Sequence, residues 1–332
     1  MRLSKPMMSI PSGRYIVAGA SGLVGTHALQ HLRSCSEARV TALFHNTRPV
    51  FDSPSLNQIR VDLGDKPAAC AAFAGGDFLL LLAGLVAPGP VMARDPIGVA
   101  LANLRILTTS LEAAWEVGIK KVVWLSSTTV YPDIDGPMTE DMGLAGEPVA
   151  GWGPIAGTMR YLEVLSKAYA SHPVRPMSCV ALRPTLIYGA HGRFDDDAHF
   201  LPALLRRVVE RRNPIEVWGD GEQRRDVVHA ADVVEAMFQA LERVDGFDVF
   251  NIGGGRNYSL NEVLKRLLVL DGFEGARIEH RLGRPSMART RDIAITKARD
   301  VLGYVPRIDL DEGLRRTLAW YRAVHAPEAA KT

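Results

Sequence analysis

The amino-acid sequence predicts an α/β protein, a doubly wound parallel sheet with a smaller C-terminal lobe interleaved with it. Two observations support this prediction. In the first half of the chain, short apolar runs rich in β-branched residues alternate with longer helical patterns, whereas after Arg183 the pattern breaks into loops rich in Gly, Pro and Asp. We expect residues 13–185 to form the sheet domain and residues 186–326 the lobe, with residues 227–258 returning to the sheet domain. Residues 1–12 lack a continuous apolar core and are expected to be a flexible extension.

The individual elements follow from these patterns. Apolar runs predict strands in the sheet domain at Tyr15–Ala18, Val40–Phe44, Ile59–Val61, Phe78–Leu82, Val122–Leu125 and Cys179–Leu182. Amphipathic spacing predicts the intervening helices at Leu23–Arg33, Pro67–Phe73, Val99–Val117 and Ala156–Ala170. The second half is expected to contain a strand at Ile215–Trp218, a further strand at Asp248–Ile252, and helices at Leu201–Arg212, Ala230–Arg243, Ser259–Leu270 and Leu310–Val324.

Composition limits the class of function. The 332 residues are 47% hydrophobic, which excludes intrinsic disorder, and 39 Lys+Arg against 37 Asp+Glu leave a net charge of +2, which disfavours nucleic acid as a partner. The longest apolar run, residues 78–87, is about half the roughly 20 residues that span a bilayer, so no membrane partner is expected. Three widely spaced cysteines indicate neither a disulfide framework nor a metal site, and a reduced, cytoplasmic protein is expected.

A glycine-rich turn, Gly-Ala-Ser-Gly-Leu-Val-Gly, joins the first predicted strand to the first predicted helix. Glycine is needed where the backbone bends sharply and where it approaches a pyrophosphate, and the helix N-terminus adds free N–H groups and a positive dipole end. Between a strand and a helix, this turn predicts dinucleotide binding rather than a purely structural role. The predicted cofactor-binding residues of the turn are Gly19, Ser21, Gly22, Leu23, Val24 and Gly25.

The segments after the second and third predicted strands bear on the choice of cofactor. Residues 43–48 contain no acidic side chain to accept a hydrogen bond from a ribose 2′-OH, and a basic residue there can face a 2′-phosphate. Arg48 therefore favours NADP(H) slightly over NAD(H), although a solvated loop arginine fits the same sequence. Asp62 is placed to bind an adenine amino group, or is an ordinary surface aspartate.

Further motifs extend over nearly the whole chain: Asn103, Trp124–Pro132, Leu182–Gly189, Arg224–Val233 and Phe250–Gly255. Together with the Gly-x-x-Gly-x-x-Gly spacing they resemble the extended short-chain dehydrogenase/reductase family, whose members mostly act on nucleotide-linked sugars, and within it the GDP-fucose synthases most. The resemblance implies a Rossmann domain that binds a nicotinamide dinucleotide. It adds to the cofactor-binding residues Leu63, Ala83, Asn103 and Pro184.

The chain departs from this family at the catalytic pair. There a tyrosine exchanges a proton with the sugar, and a lysine one helical turn later lowers the tyrosine's pKa and holds the cofactor ribose. Matching Pro154 and Glu163 to the family pattern places Ile155 at the tyrosine position and Met159 at the lysine position. None of the eight tyrosines in the sequence is followed four residues later by lysine. Since Ile and Met cannot ionise, the usual relay is missing.

Two other residues are the predicted catalytic groups. Ser127 occupies the family's serine position, where it can hydrogen-bond a sugar oxygen or simply end a strand. His199 matches a histidine that fucose synthases use as a proton donor, and a structural role fits equally well. The cysteine base of those enzymes falls at Thr129, whose hydroxyl is too weak an acid–base group to replace a thiolate. Tyr131 and Tyr188 are alternative proton donors or packing residues.

The resemblance also implies substrate-binding residues. The diphosphate of a nucleotide sugar needs planar, permanently charged donors, a requirement that Arg225, Arg284 and Arg289 fit. Trp218 can stack on the nucleoside base or anchor the lobe. The predicted substrate-binding residues are Thr128, Thr129, Trp218, Arg225, Arg284 and Arg289.

Three functions remain open from the sequence. The first is an atypical nucleotide-sugar epimerase, dehydratase or reductase that recruits a proton carrier other than the standard tyrosine. The second is a catalytically silent dinucleotide-binding sensor or assembly subunit, and the third is an enzyme that uses its cofactor only structurally. A homodimer is expected in each case, since relatives commonly pair through the two helices that correspond to Val99–Val117 and Ala156–Ala170.

Overall fold

A parallel sheet of seven strands forms the centre of the structure, a computed structural model that describes residues 10–35, 38–51, 56–86, 92, 94–134, 136–195, 198–282 and 290–325. Its strands are β1 (Arg14–Ala18), β2 (Arg39–Phe44), β3 (Leu56–Arg60), β4 (Phe78–Leu81), β5 (Lys121–Leu125), β7 (Ser178–Pro184) and β11 (Phe247–Ile252). They lie in the order β11-β7-β5-β4-β1-β2-β3, so the winding reverses between β1 and β4. This is the doubly wound α/β fold that the sequence predicts, and the reversal marks the crevice where such folds bind ligands.

Helices cover both faces of this sheet. On one face α1 (Leu23–Arg33) packs against α6 (Ala230–Arg243). On the other, α3 (Pro96–Val117) packs between α2 (Lys66–Phe73) and α4 (Gly153–Ala170). Each face contributes a buried apolar cluster, so both sides of the strands are removed from water.

The remaining elements form a smaller lobe. Its five-stranded sheet contains β6 (Pro137–Met138), β8 (Leu186–Tyr188), β10 (Arg224–His229), β12 (Asn257–Ser259) and β14 (Thr290–Ile293). Beside it, β9 (Ile215–Trp218) pairs with β13 (Ile278–Arg281), and a third apolar cluster unites the helices α5 (Phe200–Val209), α7 (Leu260–Asp271) and α8 (Leu310–His325). None of the described helices is long and apolar enough to cross a membrane.

Two chain crossings link the sheets. Strand β11, from the second half of the chain, pairs along its whole length with β7 at the edge of the central sheet. Strand β6, from the first half, pairs with β14 in the lobe. The predicted helix Leu201–Arg212 is too long: α5 ends at Val209, because Arg211 adopts a φ of 54°, which no helix accommodates.

A buried ion pair ties these crossings together. The carboxylate of Glu163 on α4 accepts hydrogen bonds from Arg183 Nε at 2.9 Å and Arg183 Nη2 at 2.6 Å, and each side chain is 2% exposed. The same carboxylate accepts the hydroxyl of Ser126, which follows β5. Arg183 also donates to Tyr131 Oη, which donates in turn to Asn251 on β11. One network therefore fixes α4, β5, β7 and β11 relative to one another.

Glu163→Ala is expected to cost about 3–5 kcal/mol of unfolding free energy, because it leaves the Arg183 guanidinium buried without its partner. Urea denaturation measures the change. The matched control is Glu312→Ala, which removes an exposed carboxylate paired with Arg315 and Arg316 and should change stability far less. Equal losses in the two variants would contradict the importance assigned to the buried pair.

Candidate active site

Backbone contacts at the carboxyl ends of β1 and β4 require the first and third glycines of the turn. Gly19 has a φ of 81°, and a Cβ atom there would lie 2.7 Å from the backbone N of Ala83. A Cβ on Gly25 would lie 2.2 Å from the Gly19 carbonyl oxygen. A Cβ on Gly22 would meet that same oxygen at 3.4 Å, an ordinary contact, so Gly22 is not required by packing within the protein. These contacts bring the predicted cofactor residues Gly19, Gly25 and Ala83 together.

The N-terminus of α1 is built to receive an anion. Gly22 caps the helix without a side-chain hydrogen bond, and the first turn contains no acidic residue. The N–H groups of Leu23, Val24 and Gly25 begin the helix, where no preceding carbonyl can accept them. A pyrophosphate supplies oxygen acceptors of the right charge, so the glycine turn fits a dinucleotide.

Asn103 fixes the segment that follows β4. Its side-chain oxygen accepts the backbone N–H of Leu85 at 2.9 Å, and its side-chain nitrogen donates to the carbonyls of Leu85 and Val99. Asn103 is 3% exposed, so its role in the structure is to anchor the residues beside Ala83 to α3. Pro184 ends β7 on the same edge of the sheet.

The ends of β2 and β3 lie farther along this edge. Residues 45–48 after β2 are exposed and contain no carboxylate, and the Arg48 guanidinium lies 5.9 Å from the centre of the Phe44 ring. After β3, the exposed Asp62 accepts the backbone N–H of Gly64, whereas the Leu63 side chain is buried in the apolar core. Leu63 can therefore offer a ligand only its backbone.

Ser127 sits in a short turn of helix immediately after β5. Its Oγ accepts the backbone N–H of Thr129 at 3.1 Å and the Thr129 hydroxyl at 2.9 Å. With its oxygen engaged by these two donors, the Ser127 hydroxyl is oriented to donate its own proton. Ser127, Thr128 and Thr129 are all half-buried, so a ligand can reach the turn.

Ile155 and Met159 lie one turn apart on α4, and each is 6% exposed. Both pack in the apolar cluster on that face of the sheet. The following turn of the helix is fixed by the Glu163–Arg183 ion pair. Helix α4 is therefore held against the central sheet, and it carries two hydrocarbon side chains at the positions matched to tyrosine and lysine.

His199 precedes α5 and is half-buried. Burial, reinforced by the nearby Arg193, lowers the pKa of its imidazole, so the neutral form prevails at neutral pH. None of the hydrogen bonds or ring contacts between described residues joins His199 to the Ser127 turn. The two predicted catalytic residues are thus placed on different parts of the fold, one after β5 and one in the lobe.

The predicted substrate residues lie on both parts of the fold: Thr128 and Thr129 belong to the Ser127 turn, whereas Arg225 and Trp218 belong to the lobe. Arg225 lies on β10 and is half-buried, and Trp218 ends β9 with 38% of its surface exposed. Arg284 and Arg289 lie outside the described residues. The sequence analysis overlooked Arg291 on β14, whose Nη2 donates to the Thr128 carbonyl at 2.9 Å. Thr128 and Arg291 are thereby brought together.

Tyr131 and Tyr188 are packing residues in this structure. Tyr131 is fully buried, and burial raises the pKa of its phenol to about 12 even though Arg183 opposes the shift. Tyr188 is 1% exposed and lies against Asp309 and Gly313 of the lobe, and burial raises its pKa as well. Neither phenol group is therefore exposed to a ligand.

Comparison with known proteins identifies the family. The model of the NAD dependent epimerase/dehydratase family matches residues 15–253, and the chain belongs to this family. This confirms the relationship expected from the motifs. The fold just described therefore belongs to a family of enzymes.

Individual relatives match along most of their length. GDP-L-fucose synthase 1 of Arabidopsis thaliana is 28% identical, over 95% of this chain and 94% of the relative. The structure of MoeE5 in complex with UDP-glucuronic acid and NAD is 31% identical, with a TM-score of 0.81 over 94% of this chain and 100% of that one. UDP-glucose 4-epimerase of Thermotoga maritima, at 23% identity, shares the fold with a TM-score of 0.82 over 94% of this chain and 99% of that one.

Gly25→Ala is expected to weaken dinucleotide binding by about tenfold or more, because the added methyl group would displace the turn against the Gly19 carbonyl. Calorimetric titration with NADP(H) and NAD(H) measures the loss. The control is Gly275→Ala, where an added Cβ meets nothing within 4 Å. Unchanged affinity in Gly25→Ala would refute the assignment of this turn.

Proposed function

We propose that this chain is a nucleotide-sugar epimerase, dehydratase or reductase that binds a nicotinamide dinucleotide and moves protons without the family's tyrosine and lysine. The observation that carries the proposal is a glycine turn after β1 and an oriented Ser127 after β5 at the same edge of the parallel sheet, combined with hydrocarbon side chains at Ile155 and Met159. Family membership supports the substrate class, and relatives solved with UDP-glucuronic acid and UDP-glucose point the same way.

Proton transfer is assigned to Ser127 and His199. Ser127 donates a hydrogen bond to a sugar oxygen, since Thr129 occupies its acceptor sites. His199 is the proton acceptor, because its lowered pKa keeps the imidazole neutral near pH 7. Water or substrate oxygens complete the relay. The bound dinucleotide supplies hydride transfer.

NADP(H) is the preferred cofactor in this proposal. The exposed segment 45–48 has no carboxylate for a ribose 2′-OH and carries Arg48, which can face a 2′-phosphate. MoeE5 was solved with NAD, so the preference for NADP(H) rests on this segment alone. We further propose that the enzyme is cytoplasmic and binds neither nucleic acid nor a membrane.

A catalytically silent dinucleotide-binding protein is the second candidate. The observation that favours it is the pair Ile155 and Met159, since neither side chain can hold a cofactor ribose or exchange a proton. The substrate side of the site favours the enzyme, because Arg225 is present and half-buried on β10.

Turnover of a nucleotide sugar separates these candidates. We expect a panel of UDP-, GDP- and dTDP-sugars, assayed with NADP(H) and NAD(H), to contain a substrate, and Ser127→Ala and His199→Ala each to lower kcat by about 10²–10⁴-fold. Activity should persist below pH 6.5 and fall only when His199 becomes protonated, because its pKa is lowered. Cofactor binding without any sugar-dependent turnover or thermal shift would leave only the silent protein.

The double variant Ile155→Tyr, Met159→Lys tests whether the rest of the site can support catalysis. It reinstates the family's relay on a helix whose position is fixed by Glu163. If the rest of the site is a working enzyme, oxidoreductase activity should rise in this variant and should no longer depend on His199.

A homodimer is also part of the proposal. On α3, Ile97 and Leu101 are 64% and 56% exposed, and on the adjoining α4, Tyr161 and Val164 are each 53% exposed. These apolar side chains recur at helical spacing, so each helix presents a stripe that a second copy can cover. These are the two helices for which the resemblance to the family implies pairing.

Val164→Glu is expected to convert the dimer to a monomer, because a carboxylate would be buried in the interface without a partner. Sedimentation equilibrium measures the molecular mass. Val269→Glu serves as the control, since Val269 is 54% exposed on the lobe helix α7. A wild-type protein that sediments as a monomer at every concentration would disprove the dimer.

A further inference from the structure

Two arginines lie side by side in the lobe sheet. Strands β10 and β14 run parallel, and their register pairs Arg225 with Arg291. Arg291 donates from Nη2 to the Thr128 carbonyl at 2.9 Å, and Arg225 donates from Nη1 to the Arg224 carbonyl at 2.7 Å. Arg291 Nη2 also lies 3.9 Å from Met138 Sδ. The Nε atom of Arg291 is buried and has no acceptor among the described residues. Its Nη1 atom takes part in none of the hydrogen bonds between described residues.

Neither positive charge has a neutralising partner in the part of the protein that the structure describes. Among the described residues, no carboxylate oxygen lies within 4.0 Å of either guanidinium. Burial and then the charge of Arg291 lower the pKa of Arg225 to about 10. Burial also lowers the pKa of Arg291, and the more distant Asp133 and Tyr131 oppose that shift. Both groups remain charged at neutral pH, so their mutual repulsion favours a bound anion.

The acidic residues next to them in sequence are engaged elsewhere. Asp226 accepts the backbone N–H groups of Gly254 and Gly255, and Asp292 accepts the side-chain amide of Asn257. Burial raises the pKa of Asp226 to about 7, which further weakens any compensating charge on that side. A bound anion would supply the negative charge that these two carboxylates do not.

The two arginines face different parts of that ligand. In the proposed function, the substrate diphosphate lies against Arg225. Arg291 is hydrogen-bonded to the turn that carries Ser127, where the sugar lies. A sugar that lies against this turn places its own substituents next to the charge of Arg291. A carboxylate on the sugar matches this charge, because hydrogen bonds between a guanidinium and a carboxylate are charge-assisted and stronger than those to a neutral hydroxyl.

We propose that Arg291 binds the carboxylate of a uronic acid, so that the substrate is a nucleotide-linked uronic acid rather than a neutral hexose. The proposal rests on the proposed function and adds to it the substrate class and the residue that selects it. A neutral sugar would leave the Arg291 guanidinium half-buried and unpaired, which is an effective means of rejection.

Matched ligand pairs test this selection independently of the nucleotide base. We would titrate the full-length protein, saturated with NADP(H), with UDP-glucuronic acid and UDP-glucose, and separately with GDP-mannuronic acid and GDP-mannose. In the pair that binds, the uronic acid should bind about tenfold or more tightly than its neutral partner. Arg291→Gln should abolish this ratio while leaving the affinity for the neutral sugar within about twofold.

Three further variants locate the effect. Arg225→Gln should weaken both members of a pair alike, because it acts on the diphosphate. Arg291→Lys keeps the charge without the planar fork and should reduce the ratio only in part. Arg315→Gln, on the exposed surface of α8, should change nothing. If Arg291→Gln fails to fold, as judged by circular dichroism, Arg291→Lys replaces it. A reduced affinity ratio in Arg291→Lys would then support the role of Arg291, and an unchanged ratio would overturn it.

The outcomes separate the two proposals. Equal binding of uronic acid and neutral sugar by the wild-type protein, or equal weakening of both by Arg291→Gln, would overturn the role of Arg291 and leave the proposed function standing. If no nucleotide sugar in either pair binds, the role of Arg291 fails, and the wider turnover panel with dTDP-sugars decides whether the proposed function stands.

Discussion

The Glu163–Arg183 ion pair is the constraint on which the arrangement of the site depends. Both charges are almost completely excluded from water, so each needs its partner and its hydrogen bonds in place at once. Those bonds reach Ser126 beside the predicted catalytic serine and, through Tyr131, Asn251 on the last strand of the central sheet. The pair therefore sets the position of α4 and of the Ser127 turn together. A displacement of either would leave a buried charge unpaired.

This constraint explains how the chain can lack the family's relay and keep the family's fold. In the family's relay, tyrosine and lysine act on the ligand through the polar groups at the tips of their side chains. Glu163, one turn beyond Met159, instead holds the helix in place through its hydrogen bonds to Arg183 on strand β7. Ile155 and Met159 add apolar contact to the cluster beneath the sheet. Replacing tyrosine and lysine with Ile155 and Met159 therefore removes the proton-transfer groups from α4 but keeps the ion pair that positions this helix.

A strand or a site residue can be predicted from the sequence only where a local residue pattern marks it. Buried parallel strands are continuous apolar runs, so β1, β4, β5 and β7 were found nearly to the residue. The lobe strands β6, β12 and β14 span only two to four residues, which is too short for an apolar run to mark them. Arg291 was missed for the same reason. Its place beside Thr128 results from a pairing between segments 163 residues apart.

The hydrogen bonds of the Ser127 turn restrict what chemistry can replace the missing relay. Since Thr129 donates twice to Ser127 Oγ, that oxygen has no further capacity to accept a proton. Ser127 can only polarise a sugar oxygen, and the base must come from another element. His199 has the neutral imidazole that a base requires, but it lies in the lobe. A substrate whose sugar lies against the turn, with its remaining groups bound by the lobe, would connect the two. Proton transfer in this protein is therefore expected to depend on substrate binding across both parts of the fold, in contrast to a relay contained within one helix.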